Sequence, residues 1–554
     1  MSVVQEVRND LKDALKAAII SSEDLAVETV PEIEIEEPRE EEHGDYATNI
    51  AMVLSGQVGM APRQIAEIIV EKIDLDLIDE VEVAGPGFIN FYLNNNWLYR
   101  VIEKVDRIGE QYGATDLGDD QKVQIEFVSA NPTGPLHVGH SRGAVVGDVL
   151  ANIMETAGFD VSKEYYINDA GNQLEILGNS VAVRYQQLLG EDVELPEDSY
   201  QGEYIEDIAQ EILAEDDDEH LADVQEGNIE YFREFAYKKM LENIGTDLND
   251  FGIEFDNWFS ERSLHPDAIE EVIAELREKG LVYEEEDALW FKSTEFGDDK
   301  DRVVVKSDGS YTYLAPDIAY HKNKHDRGFD QAINVWGADH HGYIARVQAV
   351  IEALGYGSDW LEVILVQLVN LLRDGETVKM SKRAGDFVTL RDVVDEVGVD
   401  AARYFYVMRD TDSHLDFDLE LAKEESKDNP VYYIQYAHAR ICSIEEQLAD
   451  EGYEIPSATD VDLSKLTADI ELDLIKKIAQ YPAEIAESAG SKEPHHIARY
   501  AYDLASLFHK FYNKCRVLGE DEELLKARTT LVEAVKRVLL NVLDILGISA
   551  PESM

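Results

Sequence analysis

The sequence predicts a multidomain α/β protein: an N-terminal α+β unit, a doubly wound parallel-sheet domain and a C-terminal all-α helical bundle. Three observations carry this. A strand with period-two alternation, Val123, Ile125 and Phe127, leads through a Pro/Gly-rich loop and a small-residue helix from about His140 to Ala157 into a second strand, Val161 to Ile167. Strand, loop, helix and strand in that order form one βαβ unit, the half-unit of a doubly wound sheet. Ahead of it, residues 1–115 mix helical spacing with alternating segments, and after about residue 410 the apolar spacing is helical throughout.

In chain order, Val4 to Ile20 has helical apolar spacing, and an acidic stretch from Glu32 to Glu42 ends at Gly44-Asp45-Tyr46. Pro62 to Ile73 is a second helical run, and Val81 and Val83 alternate before the turn Gly85-Pro86-Gly87 feeds the strand Phe88 to Tyr92. Gly113 to Gln121 is polar and reads as a linker. The doubly wound domain is expected over 120–410, with a solvated helical insertion at about 190–300 carrying the acidic runs Glu215 to Glu219 and Glu284 to Asp287. The sheet resumes with Ala332 to Trp336, the helix Ile344 to Leu354 stopped by Gly355, and a strand Val363 to Leu372 that Asp374-Gly375 turns back. Residues 411–554 then carry helices at Val431 to Leu448, Leu472 to Ala486, His495 to Val517 and Leu524 to Leu546, and no internal repeat is found.

Charge is the outlying property: 49 Lys plus Arg against 115 Asp plus Glu in 554 residues gives −66. Disorder is excluded for the chain as a whole, because 45% hydrophobic and 9% aromatic residues suffice for several cores. On the usual area scaling, about 20,000 Å² of surface gives each carboxylate about 170 Å² and a spacing of about 13 Å, not far beyond the Debye length of about 8 Å at physiological salt. Self-repulsion strains such a fold unless salt is high, which suggests adaptation to molar salt. An acidic binder of cations or of a basic partner is the alternative, disfavoured because the acid is spread over the whole length.

Cys442 and Cys515 cannot make a disulfide framework or a Cys-rich zinc site. Glu6, Asp10 and Asp13 stand where a secretory leader would be basic, and apolar runs such as Leu361 to Leu372 are interrupted and too short to span a bilayer. The expectation is a cytoplasmic protein with no membrane partner.

The most informative segment is Ser129-Ala130-Asn131-Pro132-Thr133-Gly134-Pro135-Leu136-His137-Val138-Gly139-His140. Two histidines three apart at a strand-to-helix junction can face one side, and a helix N-terminus offers N–H groups to phosphate. Gly139 lets a ligand approach the backbone. Alone, the pair reads equally as a metal half-site or as two satisfied core histidines. Downstream stands Lys379-Met380-Ser381-Lys382-Arg383, three cations in five residues of a chain poor in them. Lysines over a triphosphate neutralise the pyrophosphate leaving group. The two segments, in this order and about 240 residues apart, resemble the paired HIGH and KMSKS motifs of class I aminoacyl-tRNA synthetases, with Arg383 replacing the final serine.

Within that class, Glu126 to His137, Tyr166-Ile167-Asn168-Asp169-Ala170-Gly171-Asn172-Gln173, Tyr311 to Asp317, Gly337-Ala338-Asp339-His340-His341-Gly342-Tyr343 and Tyr433 to Arg440 resemble arginyl-tRNA synthetase, as does the terminus Ala550 to Met554. The likeness extends from Gly44 onward and points to a halophilic archaeal type. It implies a class I Rossmann-like catalytic domain that joins L-arginine, ATP and tRNA(Arg) through an arginyl-adenylate. Mg²⁺ would accompany ATP, with no protein-bound structural metal. The resemblance places the catalytic roles on His137, His140, Lys379 and Lys382, with most weight on Lys382. ATP contacts fall on His137, Gly139, His140, Met380, Ser381, Lys382 and Arg383, and the arginine pocket on Glu126, Ser129, Asn131, Tyr313, Asp317 and His340. A guanidinium calls for carboxylates in bidentate geometry, which Asp317 with Glu126 can supply. Without the resemblance, Asp317 reads as an N-cap of a helix through Ile318, and Tyr313 as a half-buried strand residue.

Contacts to tRNA are expected from Phe88 and Asn90 near the N-terminus and from Tyr432, Tyr436 and Arg440 in the helical bundle, with Tyr433 and His438 also able to meet unpaired bases. Aromatics at helical spacing are as often core. His495, His496 and His509 read as satisfied or exposed histidines rather than ligands. The family norm is a monomer. A cysteinyl enzyme would need zinc ligands that are lacking, a small-molecule adenylyltransferase would not need the added domains, and a non-catalytic tRNA-binding scaffold is disfavoured by the full set of motif residues.

Overall fold

The structure, a computed structural model, describes residues 1–38, 40–378 and 387–554. The expected ATP-binding residues Lys379, Met380, Ser381, Lys382 and Arg383 therefore lie outside the described residues.

The N-terminal unit is α+β. The helix Val3–Ser21 begins where Ser2 Oγ accepts from Gln5 N–H at 3.1 Å, and it buries Val7, Leu11, Leu15 and Ala18, one face of a 3.6-residue repeat. Strands β1 (Tyr46–Thr48), β2 (Ile78–Ala84) and β3 (Phe88–Leu93) form an antiparallel sheet in the order β1-β3-β2. The following helix, Asn96–Ile108, joins this unit to the C-terminal region: Tyr99 donates to Leu466 O at 3.1 Å, and Asp106 Oδ2 accepts from Ser457 Oγ at 2.7 Å and Ala458 N at 3.0 Å.

Gly113 to Gln121 is not a slack linker. Thr115, Gly118 and Asp120 donate backbone N–H groups to the carbonyls of Thr156, Ala157 and Gly158 at 3.0, 2.9 and 3.0 Å. The polar stretch thus satisfies the otherwise orphaned carbonyls at a helix C-terminus.

The next strands in chain order are β4 (Lys122–Glu126), β5 (Asp160–Ile167), β6 (Asn257–Ser260), β7 (Val282–Glu285), β8 (Ala288–Phe291), β9 (Arg302–Val305), β10 (Gln331–Gly337) and β11 (Leu361–Val366). Five of them make the central sheet, all parallel, in the order β11-β10-β4-β5-β6. Winding reverses between β4 and β10, so the crevice at their carboxyl ends is the topological switch point where ligands bind in such sheets. Glu164 locks the layers together. Its fully buried side chain accepts from Gln124 on β4 at 3.0 Å, Asn257 on β6 at 2.5 Å, Tyr320 at 2.6 Å and both Arg327 Nη atoms at 2.5 and 2.8 Å.

The region 190–300 corrects the expectation of a helical insertion. Helices Glu203–Asp216 and Glu230–Asp250 pack on Asn172–Leu188 around their own core, but β6 returns to the central sheet and β7, β8 and β9 form a separate antiparallel sheet. Four residues, Asn257 to Ser260, are too few to display alternation. The expected single strand Val363 to Leu372 also divides. It breaks after Val366, and β12 (Val369–Arg373) joins another sheet with β13 (Glu376–Thr377) and β14 (Leu415–Asp418). Since β14 pairs with β12, residues just past 410 are tied to the α/β body rather than to the bundle.

The bundle starts at Pro430, where Asn429 Oδ1 caps Val431 N at 3.0 Å, and consists of Pro430–Asp450, Asp469–Ser491, His495–Lys514 and Glu522–Leu546. The fold class is the expected one, multidomain α/β with an N-terminal α+β unit and a helical C-terminal bundle. Its surface of 26355 Å² exceeds the scaling value, giving each of the 115 carboxylates about 230 Å² and a spacing of about 15 Å. Among the described residues, no helix is long and apolar enough to cross a membrane.

Candidate active site

The carboxyl end of β4 is bent into the crevice by strained backbone. Val128 and Ser129 have φ of 65° and 39°, a left-handed conformation that is an outlier for a β-branched residue. This turn lets Ser129 Oγ donate to Glu126 at 3.0 Å and accept from Tyr166 N–H at 3.1 Å. His137 then caps the helix Val138–Thr156. Its Nδ1 accepts from Gly139 N–H at 3.1 Å, which places the neutral ring's proton on Nε2, and its ring stacks on His140 at 3.9 Å. A Cβ at Gly139 would come within 2.8 Å of the His137 ring, so only glycine fits under this cap. Both histidines line the crevice half-exposed, which removes the reading of two core histidines.

A short antiparallel pairing ties residues 388–390 to the histidine segment. Val138 donates to Val388 O at 3.2 Å and Leu390 to Leu136 O at 2.8 Å, while Phe387 stands edge-on to His137 at 5.9 Å. The residues that follow 379–386 are thereby fastened to the start of the histidine helix.

The opposite wall is the helix Leu314–Asp326, on which Asp317, His321 and Lys324 share one face at i, i+4 and i+7. Lys324 is fully buried and donates to Glu126 at 2.7 Å and to Asn334 Oδ1 at 2.8 Å. His321 Nδ1 donates to Asp317 O at 2.8 Å and its Nε2 accepts from Asn334 at 3.3 Å; burial, with help from Lys324, holds its pKa down to about 3, so it is neutral. Asp317 behaves oppositely. Burial raises its pKa to about 7 against the lowering effect of a hydrogen bond from Tyr343, and the charges of Glu126 and Glu261 push the same way as burial. It is the fourth residue of its helix rather than the N-cap, a position Tyr313 takes, and Tyr313 is 69% exposed at the lip rather than half-buried in a strand.

These groups enclose a cleft of about 660 Å³, within the range of small-molecule sites. Among the expected residues described, Glu126, Ser129, Asn131, His137, Gly139, His140, Tyr313, Asp317 and His340 all line it. One expectation changes. The charge of Glu126 is already met by Lys324, so it is not the pocket's spare negative charge. That part falls to Asp317 and to Glu261, which the sequence reading missed. Glu261 is 5% exposed, bonded by Tyr166 and His265, with its pKa raised by burial. No spacing rule would have found Glu261 or Tyr343, but Lys324 was legible as the i+7 partner of Asp317.

Comparison with known proteins agrees with this geometry. The family description "tRNA synthetases class I (R), catalytic domain" matches residues 103–426, "Arginyl tRNA synthetase N terminal domain" matches 5–93 and "DALR anticodon binding domain" matches 434–554. The chain belongs to the arginyl-tRNA synthetase family. An arginine–tRNA ligase of Desulforamulus reducens is 52% identical and one of Bacillus subtilis 50%, each match covering 100% of both chains. The arginyl-tRNA synthetase structure from Thermus thermophilus shares the fold at 21% identity, with a TM-score of 0.72 over 99% of this chain and 100% of that one.

Elsewhere on the synthetase, the residues expected to meet tRNA divide. Tyr432 and Tyr436 stack at 6.1 Å along one helix face, and Arg440 lies 4.5 Å over Tyr436 and 4.4 Å over Tyr512. All three are half-buried. His438 is 2% exposed, with Nδ1 donating to Pro551 O at 2.9 Å, and belongs to the core. On β3, Phe88 is 36% exposed, whereas Asn90 is 3% exposed and offers no surface. Among the described residues, the metal-compatible cluster is the exposed group Glu40, Glu42 and His43, outside the cleft.

Proposed function

We propose that the enzyme activates L-arginine with ATP and transfers it to the 3′ end of tRNA(Arg). The arginine carboxylate attacks the α-phosphorus of magnesium-bound ATP, pyrophosphate leaves, a terminal ribose hydroxyl then attacks the carbonyl carbon, and AMP leaves. The observation that carries this reading is a pair of carboxylates, half-buried Asp317 and buried Glu261, that have no Lys or Arg partner among the described residues, Glu261 being met by His265, in the same cleft as a histidine-capped helix N-terminus. They suit a planar guanidinium beside a phosphate site. His137 and His140 would donate to the phosphate oxygens as their charge grows, and Lys382, with Lys379, would neutralise the leaving pyrophosphate, with Met380, Ser381 and Arg383 completing the ATP contacts. Ser129, Asn131, Tyr313 and His340 would complete the arginine pocket, with Glu126 orienting Ser129. The tRNA surface would comprise Phe88, Tyr432, Tyr436 and Arg440.

The division proposed is that expected from the sequence, 1–115, 120–410 and 411–554, with its last boundary moved to Pro430, where the bundle starts, in a cytoplasmic monomer. Pyrophosphate exchange into ATP with each amino acid, with and without tRNA, is the decisive measurement: exchange is expected with arginine, and exchange driven by another amino acid would overturn the specificity.

A halophilic type is proposed from the charge of −66, which is spread over the whole chain, and the archaeal part of the proposal rests on the sequence resemblance alone. A spacing of about 15 Å between carboxylates leaves repulsion at a Debye length of about 8 Å that vanishes when molar salt shortens it to about 3 Å. Both the melting midpoint and tRNA charging should therefore rise with KCl toward 1 M, against the usual salt slope for a polyanion ligand. Activity that peaks at low salt would refute the adaptation.

A further inference from the structure

We infer that Tyr343 is a positioning residue that aims the Asp317 carboxylate at the guanidinium of bound arginine. The inference rests on the arginine pocket proposed above and gives a part in it to Tyr343, which ends a matched segment but received no role from the resemblance. Tyr343 ends the turn Ala338–Tyr343 that carries β10 into the helix Ile344–Leu354, and it lines the cleft. Its hydroxyl donates to Asp317 Oδ2. Its ring is braced by two other cleft residues: the Arg346 guanidinium lies 4.6 Å over it and also bonds its hydroxyl, and the Trp336 ring stands 6.0 Å away at 56°.

Each carboxylate of the pocket is oriented by a different device. Glu126 is fixed by a buried lysine, and Glu261 by Tyr166 and His265. Asp317 makes no ion pair among the described residues, so the phenol is what sets its rotamer, and its charge stays available to a ligand. A neutral donor suits this task. A cation in the same place would fix the carboxylate equally well but would compete with the guanidinium for its charge.

The groups facing Asp317 are Glu126 from β4, Tyr166 from β5, Glu261 from the turn after β6, Lys324 from its own helix and Tyr343 from the turn after β10. The Tyr343 bond favours the ionised form, and burial with the two glutamates opposes it. Removing only the hydroxyl should therefore move the ionisation of Asp317 to higher pH.

Tyr343→Phe keeps the ring against Arg346 and Trp336 and deletes the donor. In pyrophosphate exchange, the KM for arginine should rise about tenfold, the scale of one charge-assisted hydrogen bond, with kcat and the KM for ATP within about twofold. Calorimetric titration with arginine alone should show the pH at which binding strengthens shifted upward. An unchanged arginine KM overturns the inference. So does a raised KM with an unmoved pH profile, or a uniform loss of all three parameters with a lowered melting midpoint, either of which means simple packing. Failure of the wild-type enzyme to exchange with arginine would instead refute the proposed function, so the two failures remain distinguishable.

Discussion

Asp317→Asn should lower kcat/KM for arginine about a hundredfold while leaving the KM for ATP within about twofold. The substitution keeps the shape and removes the charge that a guanidinium requires, and the phosphate side of the cleft is built from other elements. The same carboxylate sets a pH dependence. With a pKa of about 7 in the folded protein, it is protonated in mildly acidic solution, so the arginine KM of the parent enzyme should fall as pH rises from 6 to 8 and then level off. In the asparagine variant that slope should vanish. Stability moves the other way: the folded pKa lies above the ordinary 3.8, so the unliganded protein loses stability from this group as pH climbs from about 4 through 7. Bound arginine offsets that loss. Arginine kinetics of the variant that match the parent at pH 8 would remove Asp317 from the recognition site.

Arg142→Met should destabilise the α/β body by about 4 kcal/mol, the scale of several buried carbonyls losing their donor. Arg142 is 1% exposed, two residues beyond His140 on the same helix. Among the described residues its guanidinium donates to backbone alone: Gln367 at 3.1 Å, Tyr406 at 3.4 Å, Arg409 at 3.4 Å, Asp410 at 2.7 Å and Ser413 at 2.7 Å. Burial lowers its pKa to about 10, so it stays charged at neutral pH. Methionine fills similar space with no donors. Lysine keeps the charge but gathers three donors on one nitrogen and cannot span two loops, so it should rescue less than half of the loss. Because Gln367 also lines the cleft, activity should fall along with stability. Urea unfolding is the check: a midpoint and slope equal to the parent's would mean that the loops do not depend on this side chain.

What was legible in the sequence was mostly local. The β4–helix–β5 unit, the turn signals and the bundle helices follow from periodicity and punctuation in contiguous residues. The histidine pair also fell where expected, because a helix N-terminus after a strand is a local event. Features that depend on distant partners were hidden. β6 is four residues that become a strand only beside β5, and Val363 to Leu372 reads as one strand although its halves join different sheets. The neutralisation of Glu126 by Lys324 spans 198 positions, and no spacing rule connects them. Tyr313 misled because its exposure is set by a helix beginning at the next residue.

The face shared by Asp317, His321 and Lys324 has an evolutionary consequence. Seven residues of helix rise about 10 Å, so this segment works as a ruler that sets the Asp317 carboxylate in the cleft wall at a fixed height from the buried Lys324 that holds Glu126. Deleting one residue between Asp317 and Lys324 would swing everything beyond by about 100°, stripping Glu126 of its cation. Substitutions on the outer face alter side chains without moving that ruler. Along this helix, drift in length is therefore forbidden far more strictly than drift in composition.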